Sequence, residues 1–316
     1  MLFINNLLIT FYVFLENFIV HKKVRDALNG KKPVLALEST ILAHGMPYPD
    51  NVAFAKKAEK LIINNGAVPA TIAIINGRIH IGLDEKELLY ICSEKQILKT
   101  SLREIGWALS KKLSGATTVS ATVYLAHKVG INVFATGGIG GVHRNAHLTF
   151  DISQDITALS KIPIIVVSAG AKAILDLPKT IEMLETYSIP VLGYNTDEFP
   201  SFYSRESGLK LSMAVSAPEE IASIFKNHIG GGFSSALLIA NPVPKQDEIP
   251  ANKINNIIDN ACELARRRGV LGNKLTPFLL KEIVHQSQGV SLKTNKALAL
   301  NNIQLGSEIS KALLKI

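Results

Sequence analysis

The chain has 316 residues, of which 47% are apolar and 19% charged, and this composition excludes an intrinsically disordered or low-complexity protein. The net charge is +8, but the basic residues are scattered and their longest run, Arg266 to Arg268, falls at the end of a predicted helix, which argues against nucleic-acid binding. The two cysteines, Cys92 and Cys262, have no partner at metal-ligand or disulfide-framework spacing, which indicates a reducing, cytoplasmic environment.

The first segment, residues 1–22, is predicted to be an apolar extension ahead of a single α/β domain at 23–316. It lacks the cationic start and the small-residue cleavage site of a signal peptide. Asn5, Asn6 and Glu16 interrupt it, so it is a poor membrane-spanning helix. We interpret it as a helical or disordered extension, with a membrane anchor and a packing arm as the alternatives.

Strands and helices alternate along the rest of the chain. Strands are predicted at 33–38, 69–76, 78–82, 131–136, 162–167, 191–194 and 236–240. Helices are predicted at 24–29, 51–65, 85–93, 102–113, 117–128, 156–160, 180–186, 218–227, 252–268, 276–285 and 295–314. The Asn76-Gly77 pair predicts a tight hairpin turn, and the Gly- and Pro-containing segment 39–49 predicts a loop. This alternation predicts a layered α/β domain with a mostly parallel sheet.

Ligands of such sheets bind beyond the carboxyl ends of the strands, so the residues that follow the predicted strands are the candidates for a site. One strand ends in a cluster of four glycines at positions 137, 138, 140 and 141, followed by His143 and Arg144. The cluster matches neither phosphate-loop nor dinucleotide-binding spacing. A tight turn and an anion-binding loop both remain open, and Arg144 is a candidate phosphate ligand.

Lys172 follows another apolar strand and a run of small residues. A solvated surface lysine is the ordinary interpretation, but poor solvation would favour the neutral amine that forms Schiff bases. Glu38 ends an apolar strand, where it either donates a proton or caps backbone N–H groups. Asp151 and Asp155 are a weak signal for Mg²⁺ or Mn²⁺, and Asp155 is equally suited to cap a helix.

These segments together resemble one family, the pseudouridine-5′-phosphate glycosidases, also called the indigoidine synthase A-like family. The matching motifs occur in family order over about residues 24–314. They are PVLALESTILAHGMPYPDN, VPATIAIINGRIHIGL, GATTVSATVYLA, INVFATGGIGGVHR, HLTFDISQD, VVSAGAKAILDLP, ANPVP, TPFLL and SLKTN.

The resemblance implies a three-layer α/β/α fold with a central, mostly parallel mixed sheet, and a homotrimer. It implies a lyase-class enzyme that reversibly cleaves pseudouridine 5′-phosphate to uracil and ribose 5-phosphate. Lys172 would be the Schiff-base nucleophile, Glu38 the proton donor and Asp151 the ligand of one Mn²⁺ ion. The substrate contacts would be Lys99, Val119, Ser153, Gln154, Asp155 and Asn295.

The family commonly has Ser-Ala-Asp where this chain has Ser153-Gln154-Asp155. Such a change is tolerable if the middle residue contacts the ligand through its backbone. Two alternatives remain: another Schiff-base phosphosugar lyase or aldolase, and a non-catalytic phosphosugar-binding protein.

Overall fold

The structure, a computed structural model, describes residues 16–270 and 272–316. In this part of the chain, eleven strands form one sheet. The strands are β1 (Phe18–Val20), β2 (Val34–Leu37), β3 (Val68–Ile75), β4 (Arg78–Ile81), β5 (Leu98–Thr100), β6 (Gly115–Thr117), β7 (Val133–Ala135), β8 (Ile165–Ser168), β9 (Val191–Tyr194), β10 (Ala214–Val215) and β11 (Leu237–Ala240).

Helices flank this sheet and connect its strands. The α-helices are α1 (Lys22–Asn29), α2 (Thr40–Ala43), α3 (Asp50–Asn64), α4 (Glu85–Ser93), α5 (Leu102–Ser110), α6 (Val119–Lys128), α7 (Ala146–Thr149), α8 (Gln154–Leu159), α9 (Leu177–Thr186), α10 (Pro218–Gly230), α11 (Ala251–Arg267), α12 (Leu275–Gln286) and α13 (Val290–Ala312). None of the helices described is long and apolar enough to cross a membrane.

The predicted mostly parallel mixed sheet is confirmed. Its strand order is β1-β4-β3-β2-β7-β8-β11-β9-β10, and β6 pairs with β3 and β5 beside this row. Among the strands described, only the β3–β4 hairpin and the β3–β6 pair are antiparallel. The strands are buried along most of their length, as expected for a sheet covered on both faces.

Local sequence explains several boundaries. The β3–β4 turn has Asn76 at φ 50° and Gly77 at φ 74°, the positive angles of the predicted hairpin turn. Helix α4 begins with a capping box, in which Asp84 accepts from the Glu87 amide at 2.8 Å and Glu87 accepts from the Asp84 amide at 2.9 Å. Helix α13 packs against β2, β7 and β8, and Gly306 lies where a Cβ atom would come within 2.9 Å of Leu35.

Some elements differ from the predictions. The predicted loop 39–49 contains the short helix α2, whose turn begins at Ser39. Strands β5, β6 and β10 were not predicted, because two or three residues are too short to show an alternating pattern. Of the predicted extension, residues 1–15 lie outside the described part, and Phe18–Val20 pair in parallel with β4 as an edge strand. The division at residue 22 stays a prediction.

Candidate active site

A cavity of about 560 Å³ opens beyond the carboxyl ends of β2, β5, β7 and β8. Its wall contains Glu38, Lys99, Lys172 and Asn295, four residues that are far apart in the sequence. The topology explains why Glu38 and Lys172 meet, because the neighbouring parallel strands β2, β7 and β8 deliver the residues that follow them to the same edge of the sheet. Lys99 reaches this space from within β5, which joins the sheet through β6 and its antiparallel pairing with β3. Asn295 reaches the same space from α13.

Lys172 lies in the turn after β8. Its ammonium group donates a hydrogen bond to the Gly138 carbonyl at 2.6 Å, and its own amide donates to the Ile139 carbonyl at 3.0 Å. The side chain is half-buried and lines the cavity, so the structure excludes a fully solvated surface lysine. Gly170, two residues earlier, has φ 77°, and a Cβ atom there would meet the Pro200 carbonyl, so this tight turn requires glycine.

Glu38 follows β2 and is only 7% exposed. Its carboxyl group accepts a hydrogen bond from the Thr136 hydroxyl at 2.5 Å. Burial raises the pKa of Glu38, while the Lys172 ammonium and the Thr136 hydrogen bond act in the opposite direction. A carboxyl group that keeps its proton beside an amine is suited to act as a general acid.

A buried polar network holds the strand end that carries Thr136. The Asn302 amide of α13 donates to the Thr136 carbonyl at 2.7 Å, and Asn241 donates to the Asn302 side-chain oxygen at 2.9 Å. Both asparagines are buried, so each hydrogen bond offsets a desolvation cost. These hydrogen bonds fix the backbone of Thr136 and so position the Thr136 hydroxyl that donates to Glu38.

The glycine-rich segment after β7 serves close packing. A Cβ atom on Gly138 would meet the Phe202 ring at 2.7 Å, and one on Gly140 would meet the Ser153 hydroxyl. The amides of Ile139, Gly140 and Val142 all donate to acceptors within the protein. The anion-binding interpretation of the segment therefore does not hold for these three amides.

Asp155 ties this segment to the start of α6. One carboxylate oxygen accepts from the Ser120 amide at 2.9 Å, and the other accepts from the Gly140 amide at 2.8 Å. The residue is only 5% exposed, and both oxygens are engaged by the backbone. We therefore interpret its predicted substrate contact as indirect, because the side chain holds two walls of the cavity together.

Replacing Asp155 with asparagine is expected to lower the free energy of unfolding by about 3 kcal/mol, because the new NH₂ group faces a backbone N–H donor. Asp151→Asn is the matched control, since the Asp151 side chain accepts no hydrogen bond from the residues described. Urea denaturation of both variants measures the difference. Equal stability of the two variants would contradict the bridging role.

Lys99 lies on β5, beside the strand that leads into α6. Burial lowers the pKa of Lys99, and the Lys172 ammonium lowers it further, while Asp155, Glu38 and Asp151 oppose this change. These effects place two lysines and three carboxyl groups within electrostatic reach of one another. The cavity thus gathers the charged residues that the sequence suggested as nucleophile, acid, metal ligand and substrate contacts.

The remaining predicted contacts surround the same space. Val119 begins α6 and its side chain is buried, so only its backbone faces a ligand. The Ser153 hydroxyl accepts from the Asp155 amide at 3.2 Å, and the Gln154 side chain accepts from the Arg103 amide at 3.3 Å. Asn295 has a side-chain oxygen that is enclosed and has no hydrogen-bond partner among the described residues.

The predicted phosphate contact of Arg144 stays a prediction. The structure does not place it on the cavity wall, because its guanidinium pairs with Asp259 of α11 at 2.5 Å. The preceding residue, His143, faces the cavity instead. Burial lowers the pKa of His143, and Asp151 opposes this effect.

The metal prediction depends on Asp151. No group of three or more His, Cys, Asp and Glu side chains suited to hold a metal ion occurs in the described ranges. The other carboxyl groups of the cavity wall are bonded to protein donors, those of Glu38, Glu104 and Asp155. Asp151 therefore offers a single available carboxylate, which suits only an ion that keeps most of its waters or binds substrate oxygens.

Sequence reasoning missed His44 and Arg103, which also line the cavity. His44 lies in the segment after Glu38, and its position in a Gly- and Pro-containing loop beyond a buried strand was an available signal. Arg103 lies in the first turn of α5, which follows the unpredicted strand β5. The missed strand concealed that this helix starts at the cavity.

Comparison with known proteins assigns a family to this arrangement. The family model for indigoidine synthase A like protein matches residues 23–312. The chain is 50% identical to a pseudouridine-5′-phosphate glycosidase of Petrotoga mobilis, over 92% of this chain and 95% of the relative. It is 49% identical to one of Solibacter usitatus, over 93% of this chain and 98% of the relative.

Solved structures agree with the sequence comparison. An indigoidine synthase A-like protein from Thermotoga maritima superposes with a TM-score of 0.87 at 36% identity, covering 94% of this chain and 97% of that protein. The prealnumycin C-glycosynthase AlnA, solved with ribulose 5-phosphate, gives a TM-score of 0.87 at 35% identity over the same shares of the two chains.

Proposed function

We propose a function from one premise, that this chain belongs to the indigoidine synthase A-like protein family. The proposed activity is that of a pseudouridine-5′-phosphate glycosidase, which cleaves the carbon–carbon glycosidic bond to release uracil and ribose 5-phosphate. The observation that supports it most directly is the lysine–acid pair on one cavity wall. The Lys172 ammonium donates a hydrogen bond to the Gly138 carbonyl. Its positive charge lowers the pKa of the buried Glu38 carboxyl group, against the larger effect of burial.

The chemistry explains why a lysine is needed. An ordinary glycosidase expels an oxygen leaving group with a pair of carboxyl groups. The leaving group of pseudouridine is a ring carbon, which departs readily only when electrons can be pushed from a neighbouring atom. A lysine amine bound at C1′ supplies those electrons and becomes an iminium ion.

The proposed reaction begins at the sugar ring. Glu38 donates its proton to the ring oxygen as the C1′–O4′ bond breaks, and the Lys172 amine forms a bond to C1′ and loses a proton. The uracil C5 then takes up a proton while the C1′–C5 bond breaks, which leaves uracil and a Lys172 iminium. Water adds to C1′ and releases ribose 5-phosphate and the free amine. Each step is reversible, so the same residues can form a C-glycoside.

The start of α6 and the residues around it suit the phosphate group. Lys99 on β5 and the first turn of α6 lie side by side, because Thr100 pairs with Thr117 and accepts a hydrogen bond from the Thr118 amide at 2.9 Å. Helix α6 has no acidic residue of its own in its first turn, but the Asp155 carboxylate already accepts from its Ser120 amide, so Lys99 supplies the main attraction for an anion there. A helix start and a cation favour an anion, and phosphate binding there would position the reacting end of the substrate.

We also propose that Asp151 holds one Mn²⁺ ion through its available carboxylate. When bound, such an ion would neutralise charge on the substrate and order water. Replacing Asp151 with asparagine is expected to weaken Mn²⁺ binding about tenfold or more, because the ion loses the one available carboxylate of the described cavity wall. Titration followed by electron paramagnetic resonance measures this binding, with the exposed Asp26→Asn as control. Unchanged affinity in Asp151→Asn would contradict this assignment.

We also propose that the protein is a homotrimer and that it is located in the cytoplasm. The exposed apolar side chains of Leu148 and Phe150, beside the cavity, are surface that contacts between subunits would bury.

Substrate comparison tests the activity. The protein should release uracil from pseudouridine 5′-phosphate and not from unphosphorylated pseudouridine at the same concentration. Cleavage of ribose or deoxyribose phosphates instead would identify a phosphosugar lyase or aldolase. Binding without turnover of any of these compounds would identify a non-catalytic phosphosugar-binding protein.

A further inference from the structure

His44 is a cavity-lining residue to which neither the sequence nor the comparisons assign a role. Its Nε2 atom is enclosed and has no hydrogen-bond partner among the described residues. The Asn295 side-chain oxygen shares this property, but Asn295 is already a candidate substrate contact. A buried polar atom without a partner is costly, so its persistence in a cavity wall calls for an explanation.

The backbone around His44 is firmly held. The buried Asn51 side chain donates to the Leu42 carbonyl at 2.9 Å and to the Cys92 carbonyl at 2.8 Å. Gly45 lies so close to the preceding helix turn that a Cβ atom would meet the Ile41 carbonyl at 2.8 Å. The imidazole is therefore presented from a fixed backbone, and only its side-chain torsions are free to adjust to a ligand.

The charged surroundings of His44 are cationic. Burial lowers the pKa of His44, the Lys99 ammonium lowers it further, and the backbone of Ile97 opposes both through a hydrogen bond. Arg103 and Glu104 of α5 pair with each other at 2.6 Å. The other charged side chains of the cavity wall are Glu38, Lys172, Asp151 and Asp155. The imidazole is thus neutral in the free protein near pH 7, beside a lysine that has no carboxylate in hydrogen-bonding contact among the described residues.

We propose that His44 binds the phosphate group of the substrate together with Lys99, and that its imidazole takes up a proton when the phosphate binds. The proposal rests on the proposed function for the identity of the substrate. A bound phosphate dianion adds negative charge beside His44. This charge favours the protonated imidazole, whereas the Lys99 ammonium alone disfavours it. A small rotation of the ring then gives the enclosed nitrogen the partner that it lacks.

Proton uptake has a defined direction with pH. The pKa of His44 is lowered in the free protein and rises on binding, so the contribution of the imidazole to the affinity for the phosphate dianion is complete below the free value. Affinity then falls as the pH rises through the value of the complex.

The test is calorimetric titration of the whole protein with ribose 5-phosphate and with inorganic phosphate, in two buffers of different ionisation enthalpy at pH 7. His44→Gln keeps a neutral hydrogen-bonding group but cannot become a cation. His127→Gln is the matched control, because His127 is a half-buried histidine whose pKa is also lowered by burial but which lies outside the cavity wall. Thermal melting of both variants checks that they fold.

The wild type and His127→Gln should take up more protons per bound phosphate than His44→Gln. The His44→Gln variant should bind ribose 5-phosphate about tenfold more weakly, the loss of one hydrogen bond between charged groups. Its affinity for unphosphorylated ribose should be unchanged. Equal proton uptake in the wild type and His44→Gln would overturn the proposal, whatever the change in affinity.

The experiments distinguish failure of the proposed glycosidase activity from failure of the proposal for His44. A wild-type protein that does not release uracil from pseudouridine 5′-phosphate would reject the glycosidase activity. The inorganic phosphate titration would still decide whether His44 is protonated on anion binding.

Discussion

Replacing Lys172 with alanine is expected to lower kcat for uracil release by about 10⁴-fold or more, because the proposed covalent electron source is lost and Lys99, the other lysine of the cavity wall, is assigned to the phosphate group. Lys172→Arg should be equally inactive, although it keeps the positive charge, since guanidinium is not nucleophilic at neutral pH. Substrate binding should persist in both variants, because the proposed phosphate contacts are separate from Lys172.

The matched control for this prediction is Lys161→Ala. Lys161 is exposed and precedes β8, whereas Lys172 follows it, so the two lysines lie at opposite edges of the sheet. Lys161→Ala should keep wild-type kcat. Residual activity of Lys172→Ala within tenfold of the wild type would reject the covalent mechanism and leave the fold and family assignment intact.

Replacing Glu38 with glutamine is expected to lower kcat by about 10²- to 10⁴-fold, the usual contribution of a general acid. Because burial raises the pKa of Glu38, the wild-type enzyme keeps its acidic form above the usual carboxyl range. Its rate should fall as the pH rises through this raised value. The Gln variant should lose that dependence together with the activity.

Glu38→Gln should also change how the free energy of unfolding depends on pH, and the direction of this change can be stated. A carboxyl group whose pKa is raised on folding contributes stability that is complete below its unfolded pKa and is lost as the pH rises through the folded value. The wild type should therefore lose stability relative to Glu38→Gln between acidic and mildly alkaline pH. Urea denaturation at pH 5 and pH 8 measures the difference, with the exposed Glu185→Gln as control.

Two results would contradict the role of Glu38. One is wild-type kcat in Glu38→Gln. The other is a Gln variant that keeps the alkaline loss of rate, which would place the titrating acid elsewhere in the cavity.

Much of the fold was predictable because long apolar runs and helical spacing determine it. The run at 34–37 is buried on all sides, and the amphipathic spacing of Phe54, Ala58 and Ile62 forms the inner face of α3. The short strand β5 escaped prediction because it contains only Leu98, Lys99 and Thr100. Each residue of β5 pairs with a residue of β6 that is seventeen positions further along the chain, so no local signal joins the two strands.

The lining of the cavity was predictable where a residue follows a recognisable strand, as Glu38 and Lys172 do. The roles of the other residues depended on contacts between distant segments. The Arg144 side chain pairs with Asp259, more than a hundred residues away, and nothing in the glycine-rich segment reveals that partner. The Asp155 carboxylate likewise bridges two backbone segments that only the folded chain brings together.

Trapping the covalent intermediate tests the central claim most directly. The wild-type protein is incubated with ribose 5-phosphate and Mn²⁺, reduced with borohydride, digested and analysed by mass spectrometry. The account predicts a reduced pentose-phosphate adduct on the peptide that contains Lys172, and none in Lys172→Ala. Folded, Mn²⁺-loaded protein without an adduct, or with the adduct on a different lysine, would contradict it.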